Sequence, residues 1–572
     1  MPEVPQPFES LESRLLLSTS WISHGTLTIS GTPGNDLISV SLRPRQISVR
    51  VHAGKTAVRP YRSFRRAMVR RIVINARAGN DYVQLTNVSL PAFIFGGPGN
   101  DTLVGGSGPD TFLGQAGDDS LVGMGGNDLL DGGPGTNIIQ GGDGQDTATY
   151  DSSPGPVQMA AQAPGWLVTA PDRTETVNSD IENIYGSPGA DLLLGSDLPN
   201  VLSGLGGDDT LQAVGADDTL RGGDGNDSLL MSESAANLDG GPGTDTVDFS
   251  IRTDPLTITI DDKPGDGASG ETTEVGTDIE NVVGGSGDDT IEGSEAPNRL
   301  DGGGGNDILH GLGGDDTLQG SAGDDTLLAD PGSDVLSGGD GTDLADYSAR
   351  TAALVISIDG QANDGEADER DNVMPDIENM AGGSGNDHLI GSDLFNTIWA
   401  NGGDDTIDGG WGNDTLWGGD GFDIADYSSR SSIQQLRIGE GSGIPGEKDI
   451  PQPDIEGLIG GSGDDWIQGG DSAVDNLLLG NAGNDTIIGG PGNDTLIGGP
   501  GADILGHDII PGPGVHATDD EGNDTIYGYL TDKDDDGYVD IINDVLGSNV
   551  IYYSTSDPDE VPPPGTWTRG VR

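Results

Sequence analysis

The chain has 572 residues, with 96 Asp and Glu against 25 Lys and Arg, a formal net charge of -71, and only 33% hydrophobic and 5% aromatic residues. That charge repels phosphate and excludes nucleic acid as a partner. Zero Cys excludes disulfide staples, and no run of 18 apolar residues supplies a transmembrane helix.

Composition alone, with 99 Gly and 33 Pro, describes an unfolded polyanion. The order of the residues says otherwise. Residues 1–20 contain FESLESRLLLS (8–18), a short apolar run without the basic start of an ordinary secretory signal. It resembles a short amino-terminal motif of large exported bacterial surface proteins, so 1–20 is expected to be an export-type leader segment. Residues 21–95 follow as a basic segment; residues 1–95 hold 12 Lys and Arg against 5 Asp and Glu. The stretches GTLTISGTPGNDLISVSL and RRIVINARAGNDYVQLTNVSL alternate polar and apolar residues and place Asp36 and Asp81 in repeat-like surroundings, which predicts a β-rich cap. Arg59, Arg62, Arg65, Arg66, Arg70 and Arg71 are assigned to capping or to contact with an anionic surface.

From Gly96 a nonapeptide G-G-x-G-x-D-x-U-x begins, where U is a large apolar residue. It fills 96–149, 186–248, 284–346 and 382–426, and less regularly 460–528. The glycines permit positive φ and a tight turn whose carbonyls point at one spot. The sixth-position Asp brings a hard oxygen to that spot, the donor type Ca²⁺ prefers. The last three residues form a short strand whose middle side chain faces inward. Two nonapeptides make one coil of 18 residues and add one strand to each of two parallel sheets. A lone Asp in a Gly-rich loop is an ordinary turn former. A long series at one phase is a ligand set.

The candidate metal ligands are Asp101, Asp110, Asp119, Asp128 and Asp146 in the first block, and Asp191, Asp209, Asp218, Asp227 and Asp245 in the second. Asp289, Asp307, Asp316, Asp325, Asp334 and Asp343 lie in the third, and Asp387, Asp405, Asp414 and Asp423 in the fourth. Asp465, Asp485, Asp494, Asp503 and Asp524 lie in the fifth. Asn137, Asn200, Asn237, Asn298 and Asn396 stand where Asp is expected, keeping an oxygen without the charge, so those half-sites should bind weakly or stay empty. This nonapeptide resembles that of the RTX (repeats-in-toxin) family. The resemblance implies an all-β parallel β-roll, or β-helix solenoid, with multiple Ca²⁺ ions between turns and export from a bacterial cell.

A longer period is superimposed. DIEN recurs at Asp180, Asp278 and Asp376, and DIEG follows at Asp454. These motifs close four inserts, 150–185, 249–283, 347–381 and 427–459. The last three begin at DFS (248–250) or DYS (346–348, 426–428) and the first at YDS (150–152), and alternating runs such as PLTITIDD or ALVISIDG follow. They are read as β-excursions stacked on the roll as hairpin arms, each supplying one further half-coil. GDG (265–267) and NDG (363–365) are expected to form the hairpin turns.

Residues 529–572 form a tail. DKDDDGYVDIIND gives Asp532, Asp534, Asp536, Gly537 and Asp540 the spacing of an EF-hand-like calcium loop, with Asn543 at the twelfth position in place of Glu. The end, VPPPGTWTRGVR, is Pro-rich and basic, unlike the carboxy-terminal signal by which RTX proteins usually leave the cell. No H-E-x-x-H, G-x-S-x-G or P-loop occurs. The chain is therefore expected to be a non-enzymatic, secreted calcium-binding protein that folds on binding calcium, structural or surface-associated. The alternatives are an extracellular adhesin or matrix protein that binds polysaccharide, and an accessory module of a polysaccharide-modifying enzyme.

Overall fold

A computed structural model describes residues 19–506 apart from 54–56, 59–61, 216, 233–235, 444–446, 473 and 491–493. Beyond 506 it describes the strands Val515–Asp519, Thr525–Tyr529, Ile541–Asp544, Val550–Ser554 and Thr568–Val571. Apart from one 3-10 turn at Arg66–Met68, every regular element among these residues is a β-strand. The chain divides into two units, 1–285 and 286–572.

In the first unit the nonapeptides become two parallel ladders with an 18-residue step. Thr102–Val104, Ser120–Gly125 and Gly135–Asp143 stack in one sheet, with Leu103 opposite Leu121 and Leu121 opposite Ile139. Thr111–Leu113, Leu129–Asp131 and Thr147–Thr149 stack in the other. Strands are short because a Gly turn interrupts the chain every nine residues. At Gly117 φ is +142°, and an added Cβ would collide with the carbonyl oxygen of Gly99 one coil earlier. Only a residue without Cβ lets the turns stack this closely.

Each strand sends one side chain inward. Leu103, Phe112, Leu121, Leu130, Ile139 and Ala148 are fully buried, as are Leu193, Leu202, Leu211, Leu220 and Leu229 further on. One buried Leu contributes about 1.5–3 kcal/mol. Set against roughly 1–2 kcal/mol of backbone entropy for each of nine residues, that is too little to hold a turn by itself.

The cap extends both ladders backward with longer strands. Asp36–Arg43 forms a hairpin with Gln46–Ala53 and stacks in parallel on Tyr82–Thr86, which stacks on Thr102–Val104. Thr26–Ser30, Arg71–Asn75, Ala92–Phe95 and Thr111–Leu113 continue the opposite sheet. Arg62 donates to the Ser20 carbonyl (2.7 Å) and Arg71 to the Thr26 hydroxyl (2.9 Å), so part of the basic cluster lies on the cap's own strands.

The inserts differ from expectation in two ways. Each contributes a whole coil. Arg173–Asn178 stacks on Gly135–Asp143 while Asn183–Tyr185 stacks on Thr147–Thr149. Thr273–Val275 and Asn281–Val283 do the same on Ala236–Asp239 and Thr246–Asp248. Because the block between them holds an odd number of nonapeptides, these two inserts enter opposite sheets. The remaining strands, Gln158–Gln162 with Gly165–Ala170 and Leu256–Thr259 with Pro264–Ala268, pair antiparallel along the entered sheet.

Secondly, GDG is not a turn. It lies within Pro264–Ala268, and the Asp266 carboxylate accepts from the N–H groups of Thr259 (2.7 Å) and Val275 (3.0 Å), clamping two strands. Asp364 of NDG does the same with Ser357 and Val373.

The second unit repeats the scheme. Thr290–Ser294, Ile308–Leu312, Thr326–Leu328 and Leu344–Asp346 stack in one sheet, and Arg299–Gly304, Thr317–Ala322 and Val335–Asp340 in another. Asn372–Val373 adds to Val335–Asp340, and Ile450–Pro451 to Thr415–Trp417.

Candidate metal centres

Every turn delivers its sixth residue to an equivalent place, where the loop ends and the strand begins. The N–H of one aspartate donates to Oδ1 of the aspartate one coil later. Asp101 donates to Asp119, Asp110 to Asp128, Asp191 to Asp209, Asp209 to Asp227 and Asp227 to Asp245, each at 2.7 Å. Asp128 donates to Asp146 at 2.8 Å. In the second unit the same bond joins Asp289 to Asp307, Asp307 to Asp325, Asp325 to Asp343 and Asp316 to Asp334. It also joins Asp387 to Asp405, Asp405 to Asp423, Asp465 to Asp485 and Asp485 to Asp503. Asn200, Asn298, Asn396 and Asn476 donate to Asp218, Asp316, Asp414 and Asp494. All the sequence-nominated aspartates from 101 to 503 are 0–3% exposed. The cap joins in: Asp36 donates to Asp81, and Asp81 to Asp101.

The second carboxylate oxygen separates two groups. Oδ2 is buried without a hydrogen-bond partner in Asp101, Asp119, Asp128, Asp146, Asp209, Asp227 and Asp245, and in Asp307, Asp316, Asp325, Asp343, Asp405, Asp414, Asp423 and Asp485. In Asp110, Asp191, Asp387 and Asp465 both oxygens accept from backbone N–H groups, of Ala92 and Gly106, Val157 and Ser187, Leu354 and Gly383, and Gln434 and Gly461.

Burial raises the carboxyls of both groups, Asp110 included. Burial, and then the like charges of neighbouring rungs, push Asp101, Asp128, Asp209, Asp307, Asp405 and Asp485 up to about 7. Burial also raises Asp191, Asp387 and Asp465, but two N–H donors pull each of them back. An unpartnered, buried, half-neutralised carboxylate is a costly group to fold unless something positive meets it.

The first glycine of each nonapeptide marks where that would be. A Cβ added at Gly96 would land on Asp101 Oδ2 and 2.8 Å from the Gly114 carbonyl oxygen. Equivalent Cβ atoms at Gly204, Gly222, Gly320 and Gly480 would meet Asp209, Asp227, Asp325 and Asp485, and at 2.6–2.7 Å the carbonyls of Gly222, Gly240, Gly338 and Gly498. The donors are all oxygen, charged and neutral, without nitrogen or sulfur. That set suits a hard divalent ion such as Ca²⁺. Among the described residues no three His, Cys, Asp or Glu side chains converge on one point, so carbonyls must supply most of any ligand shell.

Several residues in these ladders escaped the sequence pattern. The glutamates of the long-period motif stand in for sixth-position aspartates: Asp146, Asp245, Asp343 and Asp423 donate to Glu182, Glu280, Glu378 and Glu456. Its aspartate braces the preceding turn, Asp180 accepting from the N–H groups of Gly141 and Gly142. In two inserts Asp371 and Asp449 occupy the same ladder, accepting from Asp334 and Asp414 at 2.9 Å.

A second, exposed ladder runs one residue earlier in the opposite sense. Thr136 donates to Asp118, Asn226 to Asp208, Asn306 to Asp288 and Asp324 to Asn306. Its sequence signal is the Asn or Asp at position five. Where Asn replaces the inner aspartate, its amide is occupied: Nδ2 of Asn200, Asn396 and Asn476 donates to the carbonyls of Glu182, Glu378 and Glu456.

Asp524, Asp532, Asp534, Asp536 and Asp540 lie outside the described residues. No curated protein matches the chain. The family model of the RTX calcium-binding nonapeptide repeat matches residues 95–130, 113–148, 194–229, 283–318, 310–345, 375–393, 390–425, 458–473 and 472–505. Those segments contain the turns whose carboxylates and carbonyls face one another, and the chain carries RTX calcium-binding nonapeptide repeats along its length.

Proposed function

We propose that the chain is exported by a bacterial-type route and folds outside the cell as calcium fills its turns, acting as a structural or surface-associated protein rather than as an enzyme. The blocks 96–149, 186–248, 284–346, 382–426 and 460–528 are its calcium-binding segments, which in sequence follow the cap (21–95) and precede the tail. The observation that carries this reading is the run of buried Asp Oδ2 atoms that lack a partner and face a carbonyl of the next coil. When bound, Ca²⁺ supplies the positive charge that lets these carboxylates ionise in the interior. The chain's own residues do the rest: glycines bring turns into contact, Oδ1 fixes the spacing of the coils, and the strand-centre Leu or Ile seals the core.

Extracellular calcium modules bind at about 10⁻⁴–10⁻³ M. At about 1 mM calcium each site then stabilises the fold by about 0.4–1.4 kcal/mol, and the sum over many turns offsets the entropy that single buried side chains do not. Calcium titration followed by circular dichroism and small-angle scattering tests this. The expected result is a cooperative coil-to-β transition with a sharp fall in radius of gyration. Chelator should reverse it, and Mg²⁺, which demands tighter octahedral geometry, should reproduce it poorly. A compact, β-rich chain in excess chelator at pH 8 and low salt would overturn it.

One feature favours a second reading, contact with extracellular polysaccharide. Trp411 and Leu394, each about half exposed, line a cleft of about 540 Å³ together with Asp359, Ser392, Asp393 and Asp408. An aromatic face beside carboxylates and a hydroxyl suits a neutral sugar ring. Glycan-array binding that requires calcium and is lost in Trp411→Ala would support it. Equal signals for both proteins would remove it.

A further inference from the structure

The four inserts treat the inner ladder differently, and the difference is chemical. Each places one residue on the rung above the last repeat turn of the sheet it enters. In 150–185 that residue is Glu175, above Asn137; in 249–283 it is Thr273, above Ala236, because Asn237 pairs with Glu274 and Asp218 with Ala236, so Asn237 lies one place past the ladder position expected for it. In 347–381 it is Asp371, above Asp334, and in 427–459 Asp449, above Asp414. Aspartate thus meets aspartate in two inserts, whereas in the other two asparagine lies below glutamate and alanine below threonine.

The surroundings change in step. Glu175 is fully engaged: Oε1 accepts from Asn137 Nδ2 (2.9 Å), Oε2 from the Tyr150 hydroxyl (3.0 Å), and Arg173 lies alongside. Insert 249–283 has Phe249 where the others have tyrosine, and its ladder position carries the buried, unpartnered Thr273 hydroxyl in place of a carboxylate. In the last two inserts Asp371 and Asp449 are 0% exposed, and each spends Oδ1 on the ladder bond and keeps Oδ2 without a partner. Asp414 Oδ2 is likewise unpartnered. The buried hydroxyls of Tyr347 and Tyr427 fall short of full hydrogen-bond geometry with any partner, but they lie close enough to Asp371 and Asp449 to lower each carboxyl. Arginine does not fill the gap, because Arg350 is held by Glu366, Glu369 and the Asp330 carbonyl, and Arg430 by Glu447 and the Gly410 carbonyl. A Cβ at Gly365 would sit 2.8 Å from Glu369 Oε2 and 2.9 Å from Asp371 Oδ2, so glycine here leaves space beside two carboxylates.

We propose that inserts 347–381 and 427–459 each hold a divalent cation of the calcium type, on Asp371 with Asp334 and on Asp449 with Asp414, and that inserts 150–185 and 249–283 hold none. The proposal rests on the calcium reading of the repeats but concerns residues outside the nonapeptide. It makes the two later inserts calcium-dependent parts of the roll and leaves the two earlier ones as calcium-free joints.

The test is the calcium content of the full-length protein, measured by elemental analysis after equilibrium dialysis against calcium. Asp371→Asn with Asp449→Asn keeps the Oδ1 acceptor for the ladder and removes the charge. It should bind two fewer ions per chain, with the circular dichroism of the unsubstituted protein. Thr273→Val should bind the full number. If the double variant does not fold, terbium luminescence excited through tyrosine replaces it: Tyr347→Phe with Tyr427→Phe should lower the emission without changing the bound-ion count. An unchanged calcium count in the double variant, or unchanged emission in the tyrosine variant, overturns the insert sites and leaves the repeat reading standing. A full-length protein that binds no calcium overturns both.

Discussion

Protons and calcium compete for the same oxygens, so the calcium-free chain should be stabilised by acid. Asp101 shows the size of the effect. Its carboxyl moves from 3.8 to about 7 in the fold, through burial and the charges of Asp81 and Asp119. A shift of about 3 units corresponds to about 4 kcal/mol if fully realised, and screening at a turn near the surface reduces that to about 2. Asp128, Asp209, Asp307, Asp405 and Asp485 are raised to the same degree. Six such groups amount to about 12 kcal/mol, comparable to the whole stability of an ordinary domain.

The direction is opposite to that of a salt-bridged aspartate. A raised pKa means the folded chain holds more protons than the unfolded one, so stability is greatest below about pH 4 and is lost as pH rises through 6 to 7. Circular dichroism in chelator should therefore show β structure at pH 5 that disappears by pH 8. Saturating calcium should flatten the profile, and adding it near pH 6.5 in weak buffer should release protons. A β signal in chelator that is constant or grows from pH 5 to pH 8 would refute the reasoning.

Asp209→Ala should raise hydrogen exchange in its own coil and in those of Asp191 and Asp227 far more than in distant blocks, because solenoid coupling is nearest-neighbour; even exchange along the chain contradicts this. Gly96→Ala puts a methyl group onto Asp101 Oδ2 and should remove one bound calcium per chain, whereas Gly34→Ala, whose Cβ meets nothing within 4 Å, should change neither calcium content nor stability by more than about 0.5 kcal/mol. Arg350→Ala strands Glu366 and Glu369 in a half-buried setting and should cost about 3–5 kcal/mol by thermal unfolding in saturating calcium. A loss below 1 kcal/mol would mean that solvent already screens the pair.

The repeat was legible because its chemistry is local: a turn that needs glycine, an aspartate and an inward apolar residue recur within nine positions, and the coil follows from that period. The inserts were less legible because their roles are set by register. Asp371 and Asp449 reach the inner ladder from loops without the glycine pattern, and nothing beside them in sequence marks Asp334 or Asp414 as partner. GDG looked like a turn because glycine flanks a small polar residue, but Asp266 spends its carboxylate across two strands. The half-coil expectation failed for a related reason. DIEN resembles no nonapeptide, yet Glu182 fills a ladder position that a shorter aspartate fills elsewhere, so the insert closes a full turn.

The two ladders together bear on where the negative charge is tolerated. On the exposed ladder, Asn and Asp take turns: Asn100 precedes Asp118 and Asp208 precedes Asn226, while Asp288, Asn306 and Asp324 alternate through three coils. Among these rungs no aspartate sits directly above another, which spares the stack a like-charge contact every coil. The inner ladder ignores that restraint, stacking Asp191, Asp209, Asp227 and Asp245 without interruption. Repulsion is stronger inside, where water is excluded, so a chain managing charge by sequence alone would place its asparagines there first. In the column from Asp191 to Asp245 it places none there. The inner column is therefore organised around a positive partner that the outer column lacks, and its unpartnered Oδ2 atoms lie at the faces where that partner would sit.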